Sequence, residues 1–318
     1  MLNYWVCIAA LWGQAPAAEE SWRLPSVEEE REATAPAESP YFAPLVEAPG
    51  IAEEFDEVQV DDGPLFVPPR RFTSTWLVPG GSQGFGSFDL DYSRTWYLPT
   101  GIDRPPAAIT PGFGMHFWSG PQALDLPARV YDLYLDVSWR PLDLENGGIA
   151  IGVTPGFYGD FQRLDGNAFQ LTGWGLANYR IGPNWNLVGG VAVVRQLKSK
   201  LLPIGGAIWT PHEEIRLELM FPRPRIARRL WQEDSREAWW YLAGQFGGGA
   251  WSVADTPTEN VLVSYSDLRL LLGVEILNIQ GHDLTLEAGY VFSRDISVNQ
   301  TSVLAPDPTI LLQASLAF

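Results

Sequence analysis

The chain has 318 residues, a formal net charge of −17, one cysteine and 14 tryptophans. The acidic balance excludes a nucleic-acid partner, because phosphate binding needs a basic surface. The lone thiol, Cys7, excludes an intrachain disulfide and a thiolate metal centre, and the three histidines, His116, His212 and His282, are widely separated in sequence.

Residues 1–18 have the pattern of a signal peptide. An apolar core, Tyr4-Trp5-Val6-Cys7-Ile8-Ala9-Ala10-Leu11-Trp12, leads into the small-residue exit Ala15-Pro16-Ala17-Ala18, with cleavage expected before Glu19. The segment before that core lacks Lys and Arg. Cys7 is not a lipidation site, since Tyr4-Trp5-Val6 lacks the small residues such a site needs. After the N-terminus no run of about 18 apolar residues occurs, so transmembrane helices are excluded. Residues 19–71 are of another character. They are rich in Glu, Pro and Ala and carry fourteen acids against Arg23, Arg31, Arg70 and Arg71. So few apolar groups and so much like charge cannot offset the entropy of ordering, and a disordered, acidic periplasmic linker is expected, the alternatives being an electrostatic tether to a cationic partner or a segment that dips into the barrel mouth.

From Phe72 onward, turns and period-2 runs alternate. Phe72–Val78 reads as a short lead-in strand. Gly80-Gly81-Ser82-Gln83-Gly84-Phe85-Gly86 reads as a turn rather than a phosphate loop, because no helix and no Lys-Ser/Thr follows. Ser87–Trp96 alternates almost perfectly, with Arg94 as the exception on the apolar face. Further strands are expected at 108–118, 129–139, 148–157, 169–181, 185–196, 204–209, 214–221, 238–246, 262–276, 283–292 and 308–318. Breakers such as Gly120-Pro121, Asp165-Gly166-Asn167, Gly182-Pro183-Asn184, Pro211 and Pro222 separate them. Residues 223–240, with Arg225, Arg228 and Arg229 between Pro222, Pro224 and Trp240, read as a loop or a strand extension. The expected total is about twelve strands, within ten to fourteen. Twelve leaves a conflict, since it puts the tight links at 182–184 and 211–213 on the side opposite the termini.

The two faces of each strand differ sharply. Residues 129–140 place Tyr131, Leu133, Leu135, Val137 and Trp139 against Asp132, Tyr134, Asp136, Ser138 and Arg140; residues 262–276 place Leu268, Leu270, Leu272 and Val274 against Tyr265, Asp267, Arg269 and Glu275. In a soluble β-sandwich the charged face meets water; in a membrane barrel the apolar face meets lipid and the charged face the lumen. Mean hydropathy near zero is what a barrel gives, its two faces averaging out. Three features favour the barrel. The apolar faces are long. Aromatics recur near strand ends (Trp96-Tyr97, Phe117-Trp118, Trp139, Trp185, Trp209, Trp239-Trp240-Tyr241, Trp251), where an interfacial girdle belongs. And the chain begins with the signal-like segment and ends on Phe318. The final strand puts Ile310, Leu312, Ala314, Leu316 and Phe318 on one face and Leu311, Gln313, Ser315 and Ala317 on the other. It resembles the closing strand of bacterial outer-membrane β-barrels, which implies that Phe318 is an assembly signal read by the barrel assembly machinery. The strand it closes onto is expected to be Ser87–Trp96.

Four stretches, Gly86-Ser87-Phe88-Asp89-Leu90-Asp91-Tyr92, Ile208-Trp209-Thr210-Pro211, Phe221-Pro222-Arg223-Pro224-Arg225 and Gly244-Gln245-Phe246-Gly247-Gly248-Gly249, resemble a family of bacterial outer-membrane barrel proteins of unknown function. The resemblance covers residues 72–318. It implies an all-β, closed, antiparallel up-and-down barrel in the outer membrane, and it brings no catalytic residues.

Candidate chemistry is sparse. A barrel hydrolase needs a Ser nucleophile beside a His base, and Met115-His116-Phe117-Trp118-Ser119-Gly120 lacks the His-x-Ser-Asn-Gly signature of such lipases. Asp132 and Asp136 suggest a glycosidase pair, but i,i+4 on a strand sets them about 13 Å apart, too far for that mechanism. No enzyme and no cofactor is expected. The remaining constellation is a set of lumen-facing charges: Asp89, Asp91, Asp132, Asp136, Arg140, Arg216, Glu218, Asp267, Arg269 and Glu287. They read either as a pore lining that sets a preference among small solutes or ions, or as a salt-bridged plug that satisfies a narrow interior. Three functions remain open: a passive channel or structural barrel surrounded by outer-membrane lipid, an adhesion module whose loops (such as 293–308) engage a ligand, and a secreted soluble β-sandwich.

Overall fold

A computed structural model describes residues 70–81, 84–100, 105–120, 124–194, 201–233, 235–254, 259–279 and 281–318. The signal-peptide segment 1–18 and the acidic stretch up to residue 69 lie outside the described residues. Every regular element among the described residues is a strand. In chain order they are β1 (Arg70–Leu77), β2 (Gly86–Arg94), β3 (Trp96–Leu98), β4 (Ala107–Ser119), β5 (Arg129–Leu144), β6 (Gly147–Gly159), β7 (Phe169–Ile181) and β8 (Trp185–Val193). Then follow β9 (Leu201–His212), β10 (Ile215–Phe221), β11 (Arg225–Glu233), β12 (Arg236–Ala254), β13 (Asn260–Leu277), β14 (Asp283–Val298), β15 (Thr301–Leu304) and β16 (Thr309–Ala317).

Sequential strands pair antiparallel, and the ring closes where β16 pairs with β1, from Arg71↔Ala317 to Leu77↔Leu311. β2 and β3 share the neighbour β4 and form one stave broken at Thr95. β15 and β16 both pair with β14 and form another. The result is a closed barrel of fourteen staves, not two packed sheets.

Two of the fourteen correct the expected twelve. Arg70–Leu77 is a full stave rather than a lead-in, and it takes the closing strand that Ser87–Trp96 was expected to take. Residues 225–233 are a strand rather than a loop. The prolines that suggested a loop fall in the three-residue link 222–224, and Arg225 turns inward in register with Glu218. Inserting β11 restores the parity. The short links at 145–146, 182–184 and 213–214 now lie at the end that holds Arg70 and Phe318, here called the near end. Pro211 lies inside β9 rather than ending it. Pro141, which has no N–H for the ladder, sits where the β5 register shifts between Trp139 and Leu142.

The faces separate as the alternation requires. Leu133 (54% exposed), Leu171 (60%) and Ile310 (54%) point outward, as do Ile151, Leu272 and Leu286. Asp136, Glu218, Arg225 and Asp267 point inward and are buried. Arg94 stays on the outer face at the near end, its guanidinium over the Trp96 ring at 4.8 Å. Trp239 and Trp251, expected in the girdle, are buried inside instead.

Inside, two apolar clusters form. One joins Leu77, Phe85, Val130, Tyr134 and Tyr158 with Tyr241, Trp251, Tyr265 and Leu311. The other draws only on the β6–β10 region: Ala150, Trp174, Leu176, Val188, Ala192, Val194, Leu202, Ile204, Ile208 and Met220. Large inner side chains lie flat across glycines of adjacent strands. A Cβ on Gly112 would fall 2.0 Å from the Tyr134 ring, and one on Gly273 2.2 Å from the Tyr241 ring.

The seam can be tested directly. Thr75 and Gln313 face each other across β1–β16, with their side chains hydrogen-bonded at 3.0 Å. Thr75→Cys with Gln313→Cys, in a Cys7→Ser background, is expected to form a disulfide on mild oxidation, because directly opposed cross-strand Cβ atoms lie within about 5.5 Å. A mass-spectrometric search that finds no 75–313 link in folded protein would disprove this closure.

Candidate functional site: the barrel lumen

Half-way round the ring from each other stand two banks of charge. β2, β4 and β5, the second to fourth staves, carry Asp89, Asp91, Asp132 and Asp136 around His116. β10 and β11, the ninth and tenth, carry Arg216, Glu218, Arg225 and Arg229, with Arg223 in the link between them.

In the acidic bank each carboxylate has a donor. Asp89 accepts from Ser87 Oγ at 2.9 Å and lies 3.0 Å from His116 Nδ1. Asp132 lies 3.4 Å from His116 Nε2 and accepts the Trp251 indole N–H at 2.7 Å. Asp91 accepts from the Tyr134 hydroxyl at 3.1 Å, and Asp136 from Thr154 at 2.5 Å. Ser87, Asp89 and His116 thus form a chain with the carboxylate in the middle. Acyl transfer needs the imidazole between hydroxyl and carboxylate, so this order does not activate the serine.

The opposite bank is a network of ion pairs. Arg225 reaches Glu275 at 2.7 Å and lies over the Tyr241 ring at 3.9 Å. Tyr241 donates to Glu287 at 2.6 Å, and Arg223 stands 3.9 Å from the same carboxylate. Arg216 pairs with Glu218 at 3.1 Å. A third group sits further round, where Asp267 accepts from Tyr265 at 2.6 Å and pairs with Arg269 at 2.9 Å. Among the candidate charges, Arg140 joins none of these networks. It lies within the register shift of β5, between Trp139 and Leu142, toward the near end.

His116, Tyr134, Arg223, Arg225, Tyr241, Trp251 and Arg294 complete the lumen without having been candidates. The signal for Arg225 was present, since it is the first inward position of a strand that resembled a loop. Trp251 gave no such signal, because its partner Asp132 is 119 positions away.

The far end of the lumen is roofed. Ser252 of β12, the eleventh stave, bridges to Gly159 of β6, the fifth. Staves six apart in a fourteen-stave ring meet only if one leaves the wall, so the last residues of β12, up to Ala254, lean across the opening. Their contacts are specific. Asp160 N–H donates to the Ser252 carbonyl at 3.2 Å, Ala254 N–H to Asp160 at 3.0 Å, and Gln170 to the Ala250 carbonyl at 3.1 Å. Burial raises the Asp165 carboxyl, but hydrogen bonds from Ser252 and Asn260 outweigh that and hold it below the usual carboxylate range. Trp251 packs edge-on against Trp118 and His116, with centroids at 5.1 and 5.2 Å. On the other side Arg294 donates to the carbonyls of Phe85 and Asp307 and to the Tyr265 hydroxyl.

No family model and no curated protein matches the chain. Solved structures that resemble it include a bacterial polysaccharide outer membrane secretin, 11% identical over 79% of this chain and 98% of its own, with a TM-score of 0.39. An outer membrane channel from Pseudomonas putida F1 is 13% identical over 83% and 99%, with a TM-score of 0.40. A mutant porin from Rh. blastica is 8% identical over 79% and 98%, with a TM-score of 0.29. Likeness at these scores decides nothing further, and the chain's own geometry has to carry its function.

Arg225 tests the ion-pair bank. Removing one partner of a buried pair leaves an uncompensated charge, so Arg225→Ala is expected to cost about 3–5 kcal/mol, while replacing both partners, Arg225→Met with Glu275→Leu, costs much less. Urea unfolding of folded protein in detergent measures both; equal losses would mean that the pair is not buried as described.

Proposed function

We propose that the chain is an outer-membrane β-barrel acting as a passive, porin-like channel for small solutes or ions, with its N-terminal segment in the periplasm. The observation that carries this is the inversion of the two faces. Asp136, Glu218, Asp267 and Arg225 are among the most buried residues, while Leu133, Leu171 and Ile310 are among the most exposed. Water would reject that arrangement; hydrocarbon outside and a polar lumen inside require it. Exposed aromatics support the same placement. Trp96, Tyr179, Trp185 and Trp231 mark the near end, and Trp76, Phe88, Phe157 and Phe169 the far end, as interfacial girdles do. Outer-membrane lipid is then the surrounding partner.

The lumen charges set the expected preference. The four arginines of the bank are matched by Glu218, Glu237, Glu275 and Glu287, whereas four aspartates stand on the other wall around a single histidine. The excess is negative and favours cations. No nucleophile–base pair or cofactor enters this reading, which is not enzymatic.

The end of β12 makes the channel narrow. In planar bilayers the wild type is expected to give small, brief, cation-selective steps. Trp251→Ala, which removes the indole held by Asp132, is expected to enlarge and lengthen them. If neither protein conducts, although both show heat-modifiable migration on gels, the channel reading fails and a structural or adhesive barrel takes its place.

Phe318 is the proposed assembly signal. Its ring stacks on His282 at 6.2 Å, and its backbone is bonded both ways to Arg70. Phe318→Asp is expected to lower the folded outer-membrane level by more than the few-fold that a charge costing about 0–1 kcal/mol at the interface would give, because the signal itself is lost, and to leave the selectivity of the surviving channels unchanged. Normal levels by fractionation would refute this role.

A further inference from the structure

Of the three histidines, the fold carries one into the lumen. His212 ends β9 and His282 lies in the link before β14, both at the near end. His116 stands toward the far end of β4, on the inner face, paired with Asp89 of β2 and Val130 of β5. Each of its ring nitrogens meets a carboxylate: Nδ1 lies 3.0 Å from Asp89 and Nε2 3.4 Å from Asp132. A neutral imidazole has one N–H and one lone pair, so it can donate to only one of these two acceptors. The imidazolium serves both.

The groups that face His116 come from three other elements. β2 brings Asp89 and also Asp91; a Cβ on Gly114 would lie 3.3 Å from both Asp91 Oδ2 and His116 Nε2. β5 brings Asp132 and the Tyr134 hydroxyl, which donates to Asp91. β12 brings the uncharged Trp251 indole, edge-on at 5.2 Å. β4 itself carries no other titratable group. The ion-pair partners of His116 among the described residues are thus all acids. The imidazole also lies against the roof, because the Asp132 oxygen that faces Nε2 is the one that accepts the Trp251 N–H. It is not sealed there: the His116 side chain is 18% exposed and that of Asp89 25%.

We infer that the proton on His116 sets the ion preference of this channel. The inference rests on the channel reading above and adds what regulates it. With the imidazole charged, a cation stands between Asp89 and Asp132 where the roof narrows the path. With it neutral, those carboxylates act on a passing ion without that offset. A unit charge about 7 Å from the ion shifts its local concentration by roughly 2- to 3-fold even in bulk water, and low-dielectric walls strengthen the effect. Cation preference therefore rises as pH rises through the titration of this one side chain.

Reversal potentials of the full-length protein in planar bilayers under a KCl gradient give the K⁺/Cl⁻ permeability ratio. From about pH 5 to about pH 9, the span in which histidines usually titrate, the wild-type ratio is expected to rise at least ~2-fold. His116→Gln is expected to hold the alkaline value at every pH, and His116→Lys the acidic one. Heat-modifiable migration confirms that both fold. A His212→Gln, His282→Gln chain with ¹⁵N-labelled histidine needs no change at 116. Its ring resonances are expected to titrate with the same midpoint as its selectivity. A permeability ratio that stays constant over this range, a pH dependence that persists in His116→Gln, or midpoints that disagree each overturn the inference and leave the channel reading standing. Absence of conduction at every pH overturns both.

Discussion

A backbone amide in hydrocarbon has no water to bond, and each one left unpaired costs several kcal/mol. The seam between β1 and β16 follows from that constraint. Seven residue pairs, from Arg71↔Ala317 to Leu77↔Leu311, convert a fourteen-strand sheet with two open edges into a ring with none. Everything else is arranged around the ring. Because strands alternate in direction, the links at 145–146, 182–184 and 213–214 share the near end with Arg70 and Phe318, while 222–224 lies at the far end. The lumen exists because the ring closes. The inner side chains must then be satisfied by one another.

That last demand shapes the interior. Buried carboxylates and guanidinia are tolerated when they are paired and hydrogen-bonded, and are expensive otherwise. The chain meets this with tyrosine as much as with counter-charge: Tyr134 serves Asp91, Tyr241 serves Glu287 and Tyr265 serves Asp267. Two of these rings have room because a glycine stands on the adjacent strand. Gly112 faces Tyr134 and Gly273 faces Tyr241, and no Cβ fits at either position. Filling the lumen in this way competes with conduction, so the selectivity of a barrel so lined is decided in a small cross-section, where single carboxylates matter.

Much of this was legible in the sequence. The two-faced strands, the apolar outer face of the closing strand and the identity of most inner charges follow from period-2 alternation alone. Two staves did not. β11 was obscured because Arg225, Arg228 and Arg229 fall on both faces within five residues and prolines precede them. Paired in the ring, Arg225 turns inward while Arg228 points out. β1 resembled a lead-in because a first stave carries no signal of the partner that closes it, which lies more than 230 positions away. The lumen networks were beyond periodicity for the same reason. Alternation says that Asp132 and Arg225 point inward but not that Trp251 and Glu275 meet them, since those pairings depend on strand length and tilt. Trp251 also follows Gly247-Gly248-Gly249, where Gly248 adopts φ +111°, so no simple phase carries through to it.

Strand length also explains the roof. β10 and β11 have seven and nine residues, whereas β12 and β13 have nineteen and eighteen. The β11 ladder stops at Arg225↔Ala243, which leaves Gly244–Ala254 of β12 with no strand beside it on that side. Had it continued straight upward at membrane depth, that edge would have faced lipid with its amides unpaired. Instead it leaves the wall. The Gly244 amide bonds the Pro224 carbonyl, and the end of β12 finds Gln170, Asp160 and Gly159 across the opening. The low wall at β10–β11 and the closed mouth therefore have one cause. The short hairpin removes the ladder on which the long one would have stood, and the lumen is the nearest place where the freed edge can be satisfied. Lengthening β10 and β11 would thus open the mouth by giving β12 a neighbour, whereas trimming the end of β12 would open it by removing the roof.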